Sequence, residues 1–326
     1  MRLRYGSAIY VLAIAILGSP ACVDAGAAIE GSFDRTLKVS GSVDLDVTTG
    51  SGKIRVRPGD NGTIRIYGLI RAHDDFRSRA EDKVHYLQSN PPIEQSGNII
   101  RIGRIPENQY RNNVSISYEL VVPADIRLHS KTGSGDQSIE GIRGPAEVGT
   151  GSGNIVISNI GSEVTARTGS GRIEIDSVKG RVEAHTGSGS IRASRVAGSF
   201  KGDTGSGDIT MDQTAPGDVE VTTGSGKIEV SGVKGSLRAR NGSGHISAGG
   251  EPSGEWNIHA SSGGISVRLN SSAAFDLDAH TSSGHVTINH PLTVMGTVSP
   301  KSMRGKVRGG GALLNLSTSS GNITVE

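Results

Sequence analysis

The chain has 326 residues, 34 Lys+Arg against 32 Asp+Glu, a formal net charge of +2, and 48 glycines with only 3% aromatics. So even a charge balance offers no nucleic-acid surface, and so few aromatics exclude a conventional globular core in favour of a thin one lined by Ile, Val and Ala. The single cysteine, Cys22, leaves no disulfide to rely on.

Arg2 and Arg4 precede an apolar run from Ala8 to Leu17, followed by small residues through Ala28. This is the shape of a signal peptide over residues 1–27, with cleavage between 21 and 28. The run is too short to span a bilayer, so the mature chain is expected to be exported without a transmembrane span, to the periplasm, the cell surface or the medium. Ser19-Pro20-Ala21-Cys22 lacks the Leu expected three residues before a lipidated cysteine, which disfavours a lipid anchor.

Residues 28–131 read as a first coil plus a capping region. Gly31 to Arg57 forms the coil, with Leu45 and Val47 before Thr49-Gly50-Ser51-Gly52 and Ile54 and Val56 after it. A strand from Thr63 to Ile70 follows. Asp74 or Asp75 then stands ready to cap a helix over about 75–89, whose Phe76, Ala80, Val84 and Leu87 make one apolar stripe before Asn90-Pro91-Pro92 stops it. Asn98 to Arg104 and Val114 to Val122, joined by the polar turn Glu107 to Asn113, read as a hairpin. Helix and hairpin would cover the exposed end of a repeat array.

From Thr132 to residue 326 the chain is a repeat, regular to about 250 and irregular after it. Thr150-Gly151-Ser152-Gly153-Asn154-Ile155 returns at Thr168, Thr186, Thr204, Thr223 and Asn241 with spacings of 18, 18, 18, 19 and 18, and Thr132 stands 18 before Thr150. With Thr49, Ala260, Thr281 and Thr318 there are eleven copies. Counted from the Thr, the fifth, seventh, fourteenth and sixteenth positions are apolar, as in Ile155, Ile157, Val164 and Ala166. Residues two apart on a strand share a face, so each repeat carries two short strands pointing inward. The fold class is all-β, a parallel β-solenoid of about 18 residues per coil; some ten coils at about 4.8 Å make a rod of roughly 50 Å.

The third position after the Thr is Gly in every copy, which implies a positive φ or no room for a side chain. The first position is Ser in the last three copies and so should tolerate a Cβ, with the Ser and Thr hydroxyls stacked on the outside. Gln137 replaces the usual Ile, as expected beside a boundary; Ala215-Pro216-Gly217 holds one extra residue; the 37 residues from Thr281 to Thr318 accommodate one coil and a loop, or two irregular coils. Trp256 reads as a core or capping aromatic. At the fifteenth position Glu183, Lys201, Glu220 and Arg238 alternate in sign, which would set register on a solvated face.

Catalytic and ligand motifs fail on inspection. Thr223-Gly224-Ser225-Gly226-Lys227 lacks the Gly and Ser/Thr that complete a phosphate loop, having Val221 and Ile228 there. No copy fits a Gly-x-Ser-x-Gly elbow. Calcium β-rolls need a carboxylate in every turn, whereas the fourth position reads Asp136, Asn154, Arg172, Ser190, Asp208, Lys227, His245. His259 and His280 align on adjacent coils with His285 across the turn, a metal arrangement only if they converge; solvated turn residues are the simpler reading. The basic cluster Lys301, Arg304, Lys306, Arg308 reads as the outer face of a strand. No catalytic, cofactor or metal residue is assigned, and acids and bases spread along columns do not converge as in a β-helix hydrolase.

Gly31-Ser32-Phe33 followed by Leu45-Asp46-Val47-Thr48-Thr49-Gly50-Ser51-Gly52, the Thr-Gly-Ser-Gly coils, and the close Gly305-Lys306-Val307-Arg308-Gly309-Gly310-Gly311 with Thr318-Ser319-Ser320-Gly321-Asn322-Ile323 resemble a bacterial family of β-strand-repeat proteins, a domain of unknown function with an inferred adhesin label. The resemblance covers nearly all of the mature chain and implies no catalytic residue. The expected function is that of a non-enzymatic envelope protein binding a surface ligand or envelope component through repeated polar ladders. The alternative is a scaffold that self-associates end to end through its solenoid ends.

Overall fold

The computed structural model describes residues 28–326 apart from Asp75 and residues 296–298; the expected signal peptide over 1–27 and Cys22 lie outside the described residues. Each repeat gives one strand to each of two sheets, of 14 and 15 strands. In the repeat at Thr150, Ala146–Ser152 lies in the 15-strand sheet and Ile155–Ile160 in the 14-strand sheet. Pairing is parallel and advances one repeat at a time, so Ile155, Ile173, Ile191, Ile209, Ile228 and Ile246 are consecutive partners. All six are buried, and the parallel β-solenoid is the observed architecture. Fourteen strand spacings of about 4.8 Å make the larger sheet about 67 Å long, beyond the roughly 50 Å expected, because the ends add strands that the repeat does not announce.

Between the sheets the inward columns are small and aliphatic, as Ala166, Ala184 and Val221 facing the isoleucines illustrate. A third inward column escapes the period-two pattern. Ile160, Val178 and Val196, at the tenth position, are buried because the residue before each, Asn159, Ser177 and Arg195, adopts φ of 56°, 57° and 54°. That left-handed residue leaves two successive side chains outside and turns the next one in.

The corner after each Thr locks one coil to the next. The Thr side chains are buried, not outside as expected: Thr150, Thr168, Thr186 and Thr204 donate to the carbonyl oxygens of Gly135, Gly153, Gly171 and Gly189 at 2.9–3.1 Å. Asn241 does the same through Nδ2 to Gly226 at 2.7 Å. Those carbonyls also explain the invariant Gly, since a Cβ on Gly171 would overlap the Gly153 oxygen. The first position is also tight: a Cβ on Gly169 would come 2.5 Å from the Gly151 oxygen, so only particular coils admit Ser there.

At the N-terminal end the spatial order differs from the chain order. Ile99–Ile102 pairs in parallel with Val43–Ser51, and Val114–Val122 with Ile54–Pro58, so residues 99–122 form a coil outside the first one. The expected hairpin is therefore wrong. Its two strands lie in different sheets, because Glu107–Asn113 holds the short helix Asn108–Arg111 and acts as a corner. Ile99–Ile102 instead turns back on Ile93–Ser96, and antiparallel Thr63–Ala72 and Ile29–Lys38 extend the other sheet, removing residues 29–38 from the expected first coil. The helix Arg77–Ser89 packs on Ile29–Lys38 and Thr63–Ala72 through Ala80, Val84 and Leu87. Phe76, placed in that stripe by its spacing, is 58% exposed at the N-cap position, and Asp74 accepts the Phe76 N–H without being the cap residue.

The C-terminal end repeats the device. Ala312–Ser320 inserts between Trp256–Ser262 and Phe275–Ser283, and Ile323–Val325 between Ile265–Leu269 and Val286–Ile288. The outermost coil is thus the one starting at Phe275, edged by antiparallel Ser302–Val307 and Leu292–Val294. Gln137 is likewise no boundary residue. It lies between Ile54 and Ile155, buried, bonded to the Ser130 hydroxyl and the Gly149 carbonyl, so one polar pair replaces two apolar core positions.

Candidate functional site

On the outer face of the 15-strand sheet the register sets two rows side by side. One holds His129, Glu147, Thr165, Glu183, Lys201, Glu220 and Arg238; the other holds Lys131, Gly149, Arg167, His185, Asp203, Thr222 and Arg240. Both are outward because they alternate with the buried Ala and Val of the same strands. Side chains pair across coils: the imidazoles of His129 and His185 lie 3.3 Å from the carboxylates of Glu147 and Asp203 respectively, and Lys201 pairs with Glu220 at 3.6 Å. Glu183 turns from Lys201 to Arg181 at 2.6 Å and Arg167 at 3.8 Å. A hollow of about 180 Å³ opens over Ala166 and Ala184, walled by Arg167, Glu183, His185, Lys201 and Asp203.

The sequence signal for the first row was its alternating sign. The second row, with Arg167, His185 and Asp203, was missed although it lies two positions further along the same repeat. Solvated pairs of this kind contribute only about 0–1 kcal/mol each. They set register while leaving charged groups available to a partner.

A larger cleft, about 760 Å³, lies where the helix Arg77–Ser89 meets the Asn108–Arg111 corner. At its base Lys83 donates to Asp74 Oδ2 at 2.8 Å and to the Asn112 carbonyl at 3.1 Å. The hydrogen bond from Lys83 holds the Asp74 carboxyl below its ordinary range. Arg79, Asp82 and His85 stand at the rim. Tyr110 stacks on Tyr86 at 3.8 Å, and a hydrogen bond with Glu107 raises the Tyr86 phenol. A carboxylate kept ionised by a lysine is a weak base; Lys83 ties the helix to Asp74 and, through the Asn112 carbonyl, to the corner.

The three histidines are not assembled. His259 faces Ser317, its Nδ1 2.9 Å from the Ser317 hydroxyl, and His280 lies on the far side of Ser317, because the C-terminal coil separates the two. The His285 backbone N–H donates to Asn322 instead. Among the described residues no three His, Cys, Asp or Glu side chains gather as a metal site. Trp256 is fully buried and donates to the Gly235 carbonyl at 3.1 Å. Arg304 and Lys306 pair with Asp278 and Asp276 of the adjacent strand, and Arg308 bonds the Ser271 carbonyl, so most of the basic cluster is spent within the cap. No helix among the described residues is long and apolar enough to cross a membrane.

A family model described as Toastrack DUF4097 matches residues 162–326. No curated protein matches the chain. Among solved structures, that of a "putative cell adhesion protein" from Clostridium sporogenes ATCC 15579 is similar at 12% identity with a TM-score of 0.22, over 90% of this chain and 99% of that one.

Proposed function

The chain belongs to the Toastrack DUF4097 family, and from that premise we propose that it is an exported, non-enzymatic β-solenoid of the cell envelope that binds a surface component through the outer face of its 15-strand sheet. One observation carries this reading: half-exposed charged side chains stand in two registered rows over successive coils, from His129 to Arg240. An extended ligand could meet several of them at once, and many weak contacts then add. Export rests on the signal-peptide shape of residues 1–27. The non-enzymatic reading is supported by the pairing of Glu183 with Arg181 and of Asp74 with Lys83, which occupies two of the carboxylates in these hollows with neighbouring cations.

Antiparallel strands at both ends disfavour the alternative of end-to-end polymerisation, since a parallel coil could not simply continue onto them. The test is retention of isolated envelope fractions by the immobilised protein, compared with a variant carrying Glu183→Lys, Lys201→Glu and Glu220→Lys. Loss of retention in the variant supports the face as the binding surface; equal retention, or release of reducing ends from an envelope glycan, contradicts the reading. Sedimentation at increasing concentration should show one monomeric species.

A further inference from the structure

The corner opposite the threonines carries a second candidate surface. Arg143, Lys179 and Arg195, from three coils, border a hollow of about 350 Å³ whose floor is the backbone around Ile160, Gly161, Val178 and Ala197, the Ile160 and Val178 side chains being buried on the core side. Unlike the hollow over Ala166 and Ala184, its lining includes no carboxylate. Asp125 pairs with Arg143 at 3.3 Å, and Asp176 with Arg195, from outside the hollow; Lys179 has no carboxylate within ion-pair distance among the described residues. Arg143 and Lys179 occupy equivalent positions two coils apart, about 9.6 Å. Between them stands Gly161, where a Cβ would come 2.9 Å from the Arg143 carbonyl oxygen, so no side chain fills the notch.

A second observation falls on the same coils. Asn159, Ser177 and Arg195 line this hollow and are the residues held at φ of 54–57°, a conformation that glycine adopts without penalty. The corresponding positions of the repeats at Thr132 and Thr223 are Gly141 and Gly232, at φ of 70° and 68°. Within the regular repeats, this left-handed position thus keeps a side chain where it walls the hollow and is glycine at Gly141 and Gly232; outside those repeats Asn113 and Arg308 are also left-handed. Arg195 Nε donates to the Ser177 hydroxyl at 2.8 Å, which fixes its guanidinium at the rim.

We infer that this corner, centred on Lys179, binds a linear acidic polysaccharide. Its carboxylate or sulfate groups would meet Arg143, Lys179 and Arg195, and a sugar ring would lie in the notch at Gly161, beside Ala197. Cations set two strand spacings apart, with an open notch between them, suit a chain bearing one anionic group every second sugar better than a compact phosphate. The inference names a different surface from the 15-strand face, so each can fail alone.

The test is calorimetric titration of the purified protein with hyaluronate oligomers, which carry one carboxylate per disaccharide, κ-carrageenan oligosaccharides, which carry one sulfate per disaccharide, single-stranded RNA and neutral dextran at low and high salt. Binding of either acidic glycan, weakened by salt, with no binding of dextran, is expected; which of the two binds identifies carboxylate or sulfate as the source. Lys179→Glu should weaken it by about tenfold or more and Lys179→Arg should preserve it. Lys179 is exposed, so both variants should keep the wild-type thermal midpoint. The combined Glu183→Lys, Lys201→Glu variant should bind acidic glycan as wild type does, whatever happens to envelope retention. Undiminished affinity in Lys179→Glu, equal binding of dextran, or tighter binding of RNA than of either glycan overturns the inference.

Discussion

The Thr168 hydroxyl donates to the Gly153 carbonyl oxygen at 3.0 Å, joining two coils at a corner where neither strand can supply a partner. Replacing Thr168 by Val keeps the shape and leaves that carbonyl unsatisfied in the core. The expected loss is about 1–3 kcal/mol, read as a lower urea midpoint, whereas Thr168→Ser should lie near wild type. Equal midpoints for Val and Ser would show that the hydroxyl does not stitch the coils.

Glycine at the third position is a matter of space at Gly171, and of positive φ as well in copies such as Gly226 and Gly244, at 143° and 133°. Gly171→Ala drives a methyl group into the Gly153 carbonyl oxygen and should destabilise by about 1–3 kcal/mol or more. Gly50, at the first position of an early copy, has no atom within 4 Å of an added Cβ and no positive φ, so Gly50→Ala should change stability by less than about 0.5 kcal/mol. Chemical denaturation of the two variants side by side checks both.

The regular part of the fold was legible because its period is strict. Ile155, Ile173 and Ile191 recur at 18 residues, and register follows directly once they share a core. What escaped were features that break period two or reverse chain order. Val178 points inward only because Ser177 is left-handed, and nothing in the identity of a serine announces that φ. The inserted coil 312–326 carries the same Ser-Ser-Gly as its neighbours, so sequence spacing could not reveal that it stacks on Trp256–Ser262 ahead of Phe275–Ser283. The surface rows were readable as columns, but the turn of Glu183 toward Arg181 depends on side-chain reach, which no column shows.

Removing residues 312–326 should do more than peel off one coil. Leu314 is the register partner of the buried Trp256, the only tryptophan. The truncated chain should show red-shifted tryptophan emission and lose amide protection over Phe275–Ser283 as well, because that strand then lacks its parallel partner. Unchanged emission would contradict the insertion.

The Asp74–Lys83 pair gives the helix a pH dependence. Asp74 has a folded-state pKa below its unfolded value, so its contribution is fully present above the ordinary carboxylate pKa of about 3.9 and is lost as pH falls through the depressed value. Amide exchange in Arg77–Ser89 should therefore rise in acid ahead of exchange in the coils, and Asp74→Asn should abolish that difference.

Coil order at the C-terminal end is tested most directly by disulfide capture in a Cys22→Ser background. Ser262 and Ser320 are register partners on adjacent strands, about 4.8 Å apart, within the range a disulfide spans; Ser283 lies one strand further. Ser262→Cys with Ser320→Cys should cross-link readily under mild oxidation, and Ser262→Cys with Ser283→Cys should stay reduced. Efficient cross-linking of 262 to 283 instead would place the coils in chain order and contradict the fold described.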